Sequence, residues 1–401
     1  MNEIPILLLA LLLFAMLLRL DAIFYLVYVV AGVYILTRWS TARGLSQLRV
    51  RRRFTDHAFL GESVPVEVEF ENLSWLPVPW LRVDEMSPTA LLESKPVRQV
   101  ISLRPKERLQ LRYDLVGRHR GYYEVGPALM SLGDLFGFAE THGETEGRDH
   151  LTVYPRVIPL AHTELASRAP LGTIKSRQQI YADPARVVGV RDYQPGDPLR
   201  SINWKSSARA QRLQVKKLEP AVSLTSMIFL DLNAGAYGKQ MMYHYSEWAI
   251  VVAASLANYL VGERQAIGLA CNGRDTLTRS TQWVILPRPG RVHLMKLLEW
   301  LARVEPMETA LLSEWLPATA LGLAWGTTVI AITPTGDEAT CRTLHRILRA
   351  GLNPILVVIE PHGRFGVVRE RAQRLGFPAY MVAGERDLAR WRKREQWTRV
   401  A

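Results

Sequence analysis

The chain has 401 residues, 48% hydrophobic and 22% charged, which allows two or three globular domains and excludes a disordered or low-complexity protein. Two cysteines, Cys271 and Cys341, in no metal-spaced pattern, exclude a disulfide framework or a zinc site and suit a reducing compartment. The net charge of +12 sits in two places: six arginines and no acid from Arg38 to Arg53, and ten Lys/Arg against Asp183, Asp192 and Asp197 from Lys175 to Lys217 (10 − 3 = +7). Such clustering is unlike a general nucleic-acid coat, and no nucleic acid is expected as a partner.

Residues 4–37 are almost wholly apolar, broken only by Arg19 and Asp21. One span of that length is too long for a bilayer, and two charges at its centre are costly. A turn at Arg19–Asp21 resolves both, predicting two transmembrane helices within 1–40, Ile4–Leu18 and Ala22–Leu36. A signal peptide is the rival reading, but the segment lacks a basic n-region. The arginines that follow predict a two-pass protein of the inner (cytoplasmic) membrane with cytoplasmic soluble domains, and they also suit anionic headgroups.

From about Val50 to Pro155, within a domain read as 41–158, the period is two. "VPVEVEFEN" alternates Val66, Val68 and Phe70 with Glu67 and Glu69, and later segments repeat the pattern between Gly and Pro. The reading is an antiparallel β-sandwich-like domain of about seven strands, immunoglobulin-like in plan. A connecting segment, 159–222, follows. From 223 to 401 strands and helices alternate, as in a doubly wound, mostly parallel α/β sheet. The expected strands are 224–232, 266–272, 327–333, 353–360 and 378–383, with helices at 245–263, 291–304, 338–350, 364–376 and 385–397.

Ligands of such sheets bind beyond the carboxyl ends of the strands. Asp231 ends the first strand in "DLNAG", where von Willebrand factor A domains carry an Asp-x-Ser-x-Ser metal loop. Asp231, Asn233 and Thr333 are therefore candidate ligands for Mg²⁺, with Asp337 nearby, although Gly235 offers no side-chain oxygen. No phosphate loop, dinucleotide loop or nucleophile elbow occurs, and no catalytic residue is assigned. Cys341 and His345 share a helix face, where a core cysteine beside a histidine is preferred to a thiolate–imidazole pair. The basic, aromatic "RWRKREQWTR" near the C-terminus reads as a solvated helix.

The segment "YQPGDPLRSINWKSSAR" carries a Pro-Gly-Asp turn, a short helix over "INWKSSARA" and a strand over "RLQVKKLE". Its charged and amide groups suit either an interlocked hydrogen-bond network or a phosphate-binding loop. Asp197, Arg200, Trp204 and Arg209 are expected to lock a joint between domains by packing and paired charge.

This stretch resembles the signature of a large bacterial family of unknown function, DUF58. Arg191, Tyr193, Pro195, Gly196, Asp197, Arg200, Trp204, Lys205 and Arg209 fit its pattern, and Asn203 stands where the family usually has Asp. "GRHRGYYEVGPALMSLGDLFGF" is similar to a second family segment. The resemblance implies paired membrane helices, a β-rich region and a von Willebrand A-like domain. It also implies association with a MoxR-type AAA+ ATPase and a transglutaminase-like membrane protein. The expected function is a membrane-anchored, non-enzymatic scaffold in protein assembly or maturation, without a cofactor. The alternatives are a metal-dependent ligand-binding domain and an anion binder centred on 191–209.

Overall fold

The computed structural model describes residues 3–18, 21–91, 98–135, 137, 140–145, 147–160, 182–194, 201–220, 225–360 and 365–390. The chain divides into two compact units. The first is Met1–Arg156 with Asp275–Arg279 and Leu298–Glu305; the second is Val157–Arg274 with Ser280–Leu297 and Pro306–Ala401.

The first unit opens with helices α1 (Glu3–Leu18) and α2 (Asp21–Ser46), which pack against each other. Among the described residues, α2 alone is long and apolar enough to cross a membrane. This corrects the expectation of two spans. With 16 residues, α1 rises only ~24 Å, short of the ~30 Å hydrocarbon layer. Conversely, α2 runs on beyond Leu36 because its last turns pack on the β region. Thr41 is buried, and Gly44 lies against the Leu132 side chain. Asp21 sits in the first turn of α2, where a negative charge suits the helix dipole. Arg19 lies outside the described residues.

Among the described residues, ten strands follow: β1 (Leu48–Arg53), β2 (His57–Phe59), β3 (Ser63–Asn72), β4 (Val78–Glu85), β5 (Arg98–Leu103), β6 (Arg108–Val116), β7 (Gly121–Val125), β8 (Ala128–Gly133), β9 (Glu140–Glu144) and β10 (Asp149–Tyr154). They form sheets ordered β1-β3-β6, β5-β4-β8-β9 and β2-β10-β7, and β2 pairs parallel with β10. That exceeds the seven antiparallel strands expected, because short β2 and β9 carry little alternation of their own. Val66, Val68 and Phe70 of β3 point into one core with Leu81, Leu103, Leu132 and Leu151, while Glu67, Glu69 and Glu71 line the other face.

The arginine run divides along β1 by the same alternation. Arg49, Arg51 and Arg53 lie opposite Glu71, Glu69 and Glu67, in a charge ladder that Arg108 and Arg112 continue from β6. Arg52 faces inward with its side chain 6% exposed. Its guanidinium binds Glu85 of β4, through Nε at 2.7 Å and also through Nη2, and Asp149 of β10 at 2.7 Å. The Tyr113 hydroxyl of β6 donates to Glu85 at 3.0 Å. Burial, with the Glu85 charge, pushes that hydroxyl's pKa well up from its ordinary value. One cation thus ties together strands of all three sheets.

The second unit begins with a hairpin: β11 (Ala182–Asp192), α3 (Trp204–Ala210) and β12 (Gln214–Pro220), with β11 and β12 antiparallel. Its main sheet uses β13 (Thr225–Leu230), β14 (Ala266–Cys271), β16 (Trp283–Arg288), β18 (Thr328–Thr333), β19 (Asn353–Val358) and β20 (Ala379–Met381), in the order β16-β14-β13-β18-β19-β20. All neighbours are parallel except the edge pair β14–β16. Within this stretch of sequence, the two-residue strands β15 (Arg274–Asp275) and β17 (Val304–Glu305), whose residues from Asp275 on belong to the first unit, pair with each other. The helices are α4 (Met242–Gly262), α5 (Arg291–Arg303), α6 (Leu312–Ala320), α7 (Glu338–Arg349), α8 (Phe365–Arg374) and α9 (Glu385–Arg390).

Met227, Ile228, Phe229 and Leu230 of β13 are all fully buried, so both faces of the sheet are covered. Met227 and Phe229 share a core with Leu316 of α6, Leu344 of α7 and Ala372 of α8. The sequence reading lacked β16 and α6, each of which contains a proline, Pro287 and Pro317. Proline is tolerated at a sheet edge, and β16 is an edge. The C-terminal basic stretch from residue 391 lies outside the described residues.

Glu85→Ala would leave the buried Arg52 charge with Asp149 as its remaining acid partner. A loss of about 3–5 kcal/mol is expected, as for a broken buried pair. Glu67→Ala, on the exposed ladder, should cost under about 1 kcal/mol. Denaturant midpoints of the purified chain in detergent check the contrast.

Candidate functional site

The carboxyl ends of the three central strands β13, β14 and β18 meet at Asp231. Its Oδ1 accepts from Asn272 Nδ2 at 2.8 Å and from the Asn233 amide at 3.2 Å. Its Oδ2 accepts from the Thr333 hydroxyl at 2.9 Å. The Tyr237 hydroxyl donates to the Asp231 carbonyl at 2.7 Å. Asn272 follows β14 and Thr333 ends β18, so one carboxylate links three strands.

The Asn272 amide cannot turn over. Its Oδ1 accepts from the Leu232 amide at 2.6 Å and its Nδ2 also donates to the Ala310 carbonyl at 3.1 Å. Reversal would set donor against donor and acceptor against acceptor. Its N–H is therefore fixed toward Asp231. Burial raises the Asp231 pKa, against the lowering effect of these hydrogen bonds, and Asp337 adds a smaller push upward. Burial, and then the Asp231 charge, hold the Tyr237 hydroxyl well above its ordinary value.

This arrangement brings Asp231 and Thr333 together as expected but does not fit Mg²⁺. An octahedral hard ion wants several oxygens facing it. Oδ1 of Asp231 faces two N–H donors instead. Asn233 Oδ1 is turned to the amides of Gly235 at 3.1 Å and Thr309 at 3.3 Å, where it caps a short 3₁₀ turn. Asp337 accepts from the Thr340 amide as the N-cap of α7. Among the described residues, no group of three or more His, Cys, Asp or Glu is placed to hold a metal.

Sequence reasoning missed Asn272 and Tyr237. Asn272 carried a usable signal, a polar residue immediately after an apolar parallel strand. Cys341 and His345 do not pair: the thiol faces the Gly336 carbonyl, and His345 Nδ1 lies 2.9 Å from the Leu375 carbonyl. Burial raises the Cys341 thiol pKa, which disfavours a thiolate.

The signature stretch forms the hairpin. Pro195, Gly196, Asp197 and Arg200 lie outside the described residues. Asn203 caps α3, its side chain accepting from the Ser206 amide at 3.2 Å. Asn and Asp both serve this role, which explains how Asn203 can replace the family's Asp. The Asn203 amide donates to the Gln214 carbonyl at 2.7 Å, and the Ser207 hydroxyl donates to the Asn203 carbonyl and accepts from the Gln214 amide. The Tyr193 amide donates to the Leu213 carbonyl, and Asp192 pairs with Arg212 at 3.0 Å. The Gln214 side-chain amide donates to Asp192 Oδ1. Arg191 is exposed and donates to the Asp192 carbonyl at 3.1 Å.

Trp204 is 68% exposed, and Lys205 and Arg209 are exposed beside it on α3. The helix has only seven residues, and its buried member is Ser207. Its small inner face leaves the tryptophan outside.

Fold and site together define a multidomain α/β protein with an N-terminal apolar helix, β-sheet regions and a C-terminal, mostly parallel α/β sheet. Residues 189–316 match the model of the family described as "Protein of unknown function DUF58". The chain is similar to the uncharacterized protein YeaD of Bacillus subtilis, at 26% identity over 172 residues, 42% of this chain and 41% of that protein. The match thus spans less than half the relative's length. Among solved structures, the CARDB domain of the PF1109 protein from Pyrococcus furiosus covers 26% of this chain and 86% of its own, at 20% identity and TM-score 0.21. The complex of human zinc 2-glycoprotein with prolactin inducible protein gives 9% identity and TM-score 0.22, over 26% of this chain and 92% of that one. Scores this low fix neither fold nor function.

Two outcomes follow from the buried carboxyl and the cap. A carboxyl with a raised folded pKa contributes stability at low pH that is lost as pH rises through that folded value. Asp231→Asn, which can still accept at Oδ1 and donate to Thr333, should remove this pH slope and stay within about 1 kcal/mol of the parent. Asp231→Ala, which strands three donors, should cost at least about 2 kcal/mol. Unfolding curves from pH 4 to 8 test both. Asn203→Asp should preserve the slow hydrogen exchange of the Ser206 amide, and Asn203→Ala should cost α3 about 1 kcal/mol of protection.

Proposed function

We propose that the chain is a membrane-anchored, non-enzymatic scaffold of the bacterial inner membrane, with its folded units on the cytoplasmic side. In this reading α2 is the anchor, the β-sheet region is an immunoglobulin-like spacer, and the α/β unit is von Willebrand factor A-like. The signature hairpin of that unit receives a MoxR-type AAA+ ATPase, and a transglutaminase-like membrane protein is the further partner. The ATPase and membrane-protein partners come from the family resemblance.

The observation that carries the proposal is Trp204. A tryptophan exposed beside Lys205 and Arg209, on a hairpin held by its own hydrogen bonds, has the chemistry of an interface anchor. The carboxylate at the strand ends supports the non-enzymatic part, since its oxygens are engaged by Thr333, Asn272 and the Asn233 amide. Arg38 and Arg43, near the end of α2, support the cytoplasmic placement.

The test is cross-linking of the full chain to the neighbouring gene's ATPase in native membranes. Trp204→Ala is expected to reduce capture about tenfold, equivalent to ~1.4 kcal/mol. Capture that is absent for the parent chain, or unchanged by the substitution, would overturn the proposal.

A further inference from the structure

Between the last turns of α2 and the β region lies a pocket of about 210 Å³. Leu36, Thr37, Ser40, Thr41 and Gly44 form its helical wall. Leu76–Pro79, Leu132, Asp134 and Leu135 form the other. The helical wall continues the surface that α2 presents along its apolar length.

Helix length fixes the level of the pocket. About 20 residues cross the hydrocarbon layer. Counted from Asp21, the first residue of α2, that brings the boundary near Ser40. The surroundings suit this depth. Trp39 is 43% exposed, Trp75 67% and Leu135 77%, and the exposed Leu36 and Pro77 complete an apolar rim. Tryptophan favours the headgroup level. Cations stand beside these groups: Arg43 lies over the Trp39 ring at 5.3 Å, Arg38 bonds the Tyr34 hydroxyl at 3.2 Å, and the Lys106 amine donates to the Leu73 carbonyl. Apolar tips among cations match a bilayer's acyl boundary beneath anionic headgroups.

We infer that this face of the first unit is seated in the headgroup layer of an anionic bilayer, with an acyl segment of a phospholipid in the pocket. The inference rests on reading α2 as the membrane anchor. A soluble protein partner is disfavoured because the pocket adjoins the stretch of α2 that lipid surrounds.

The test uses the full chain in nanodiscs of phosphatidylcholine and phosphatidylglycerol. The native cysteines are buried, so nitroxides can be placed singly by Tyr28→Cys, Trp75→Cys, Leu135→Cys and Arg98→Cys. Arg98 is exposed and pairs with Asp84, at the end of β4 away from the pocket. The readout is collision with bilayer-dissolved oxygen relative to a water-soluble nickel chelate. Position 28 should read as hydrocarbon, positions 75 and 135 as headgroup boundary, severalfold above position 98, and position 98 as water. A phospholipid with a photoreactive acyl chain should cross-link to 36–44 and 76–79. If positions 75 and 135 match position 98 while position 28 reads as hydrocarbon, the seated face is wrong and the anchor stands. If position 28 also reads as water, the anchor reading fails and the inference with it. Cross-links confined to residues before 36 would overturn acyl occupancy of the pocket.

Discussion

A single buried carboxylate holds the centre of the α/β unit together. Strands of a parallel sheet end with their carbonyls and following loops unpaired, and their carboxyl ends must be joined by something other than the ladder. Asp231 does this by accepting from Thr333 at the end of β18, from Asn272 after β14, and from the amide of Asn233 in its own loop. The loops that follow depend on it: Asn272 in turn secures the Leu232 amide and the Ala310 carbonyl, and Asn233 secures Gly235 and Thr309. The same position that could have served a ligand is occupied by intramolecular donors.

The first unit uses the opposite charge in a comparable way. Arg52 reaches Glu85 and Asp149 on different sheets, with Tyr113 completing the set. A planar guanidinium can serve two carboxylates at once, which a lysine could not do with the same geometry. Each unit therefore has one ionisable side chain whose partners come from several strands. Such groups are costly to bury alone and stabilise specific pairings when fully satisfied.

Much of the architecture was legible in periodicity. The alternation of Val66, Val68 and Phe70 gave β3, and the apolar run ending at Asp231 gave β13, because side-chain direction in strands follows directly from sequence parity. The limits were also physical. The end of α2 was set too early because Arg38, Ser40 and Thr41 look like a loop by hydropathy, whereas packing of Thr41 and Gly44 carries the helix on. Arg52 was indistinguishable from Arg51 and Arg53 until β1 was placed. At the candidate site, Asp231 and Thr333 were readable as strand ends. The direction of the Asn233 and Asn272 amides was not, since it depends on backbone partners distant in sequence.

The junction between α2 and β1 has a mechanical meaning. The helix ends at Ser46 and the strand begins at Leu48, so only Gln47 separates them. Packing of the last turns on β8 and β9 removes the remaining play. A stem joined this way transmits torque. Tilt or rotation of the helix would swing the β-sheet region as a stiff lever, where a flexible tether would let it wander. With α2 read as the membrane anchor, the surrounding lipid would govern the amplitude of that swing, and bilayer thickness would be a mechanical input to the β-sheet region.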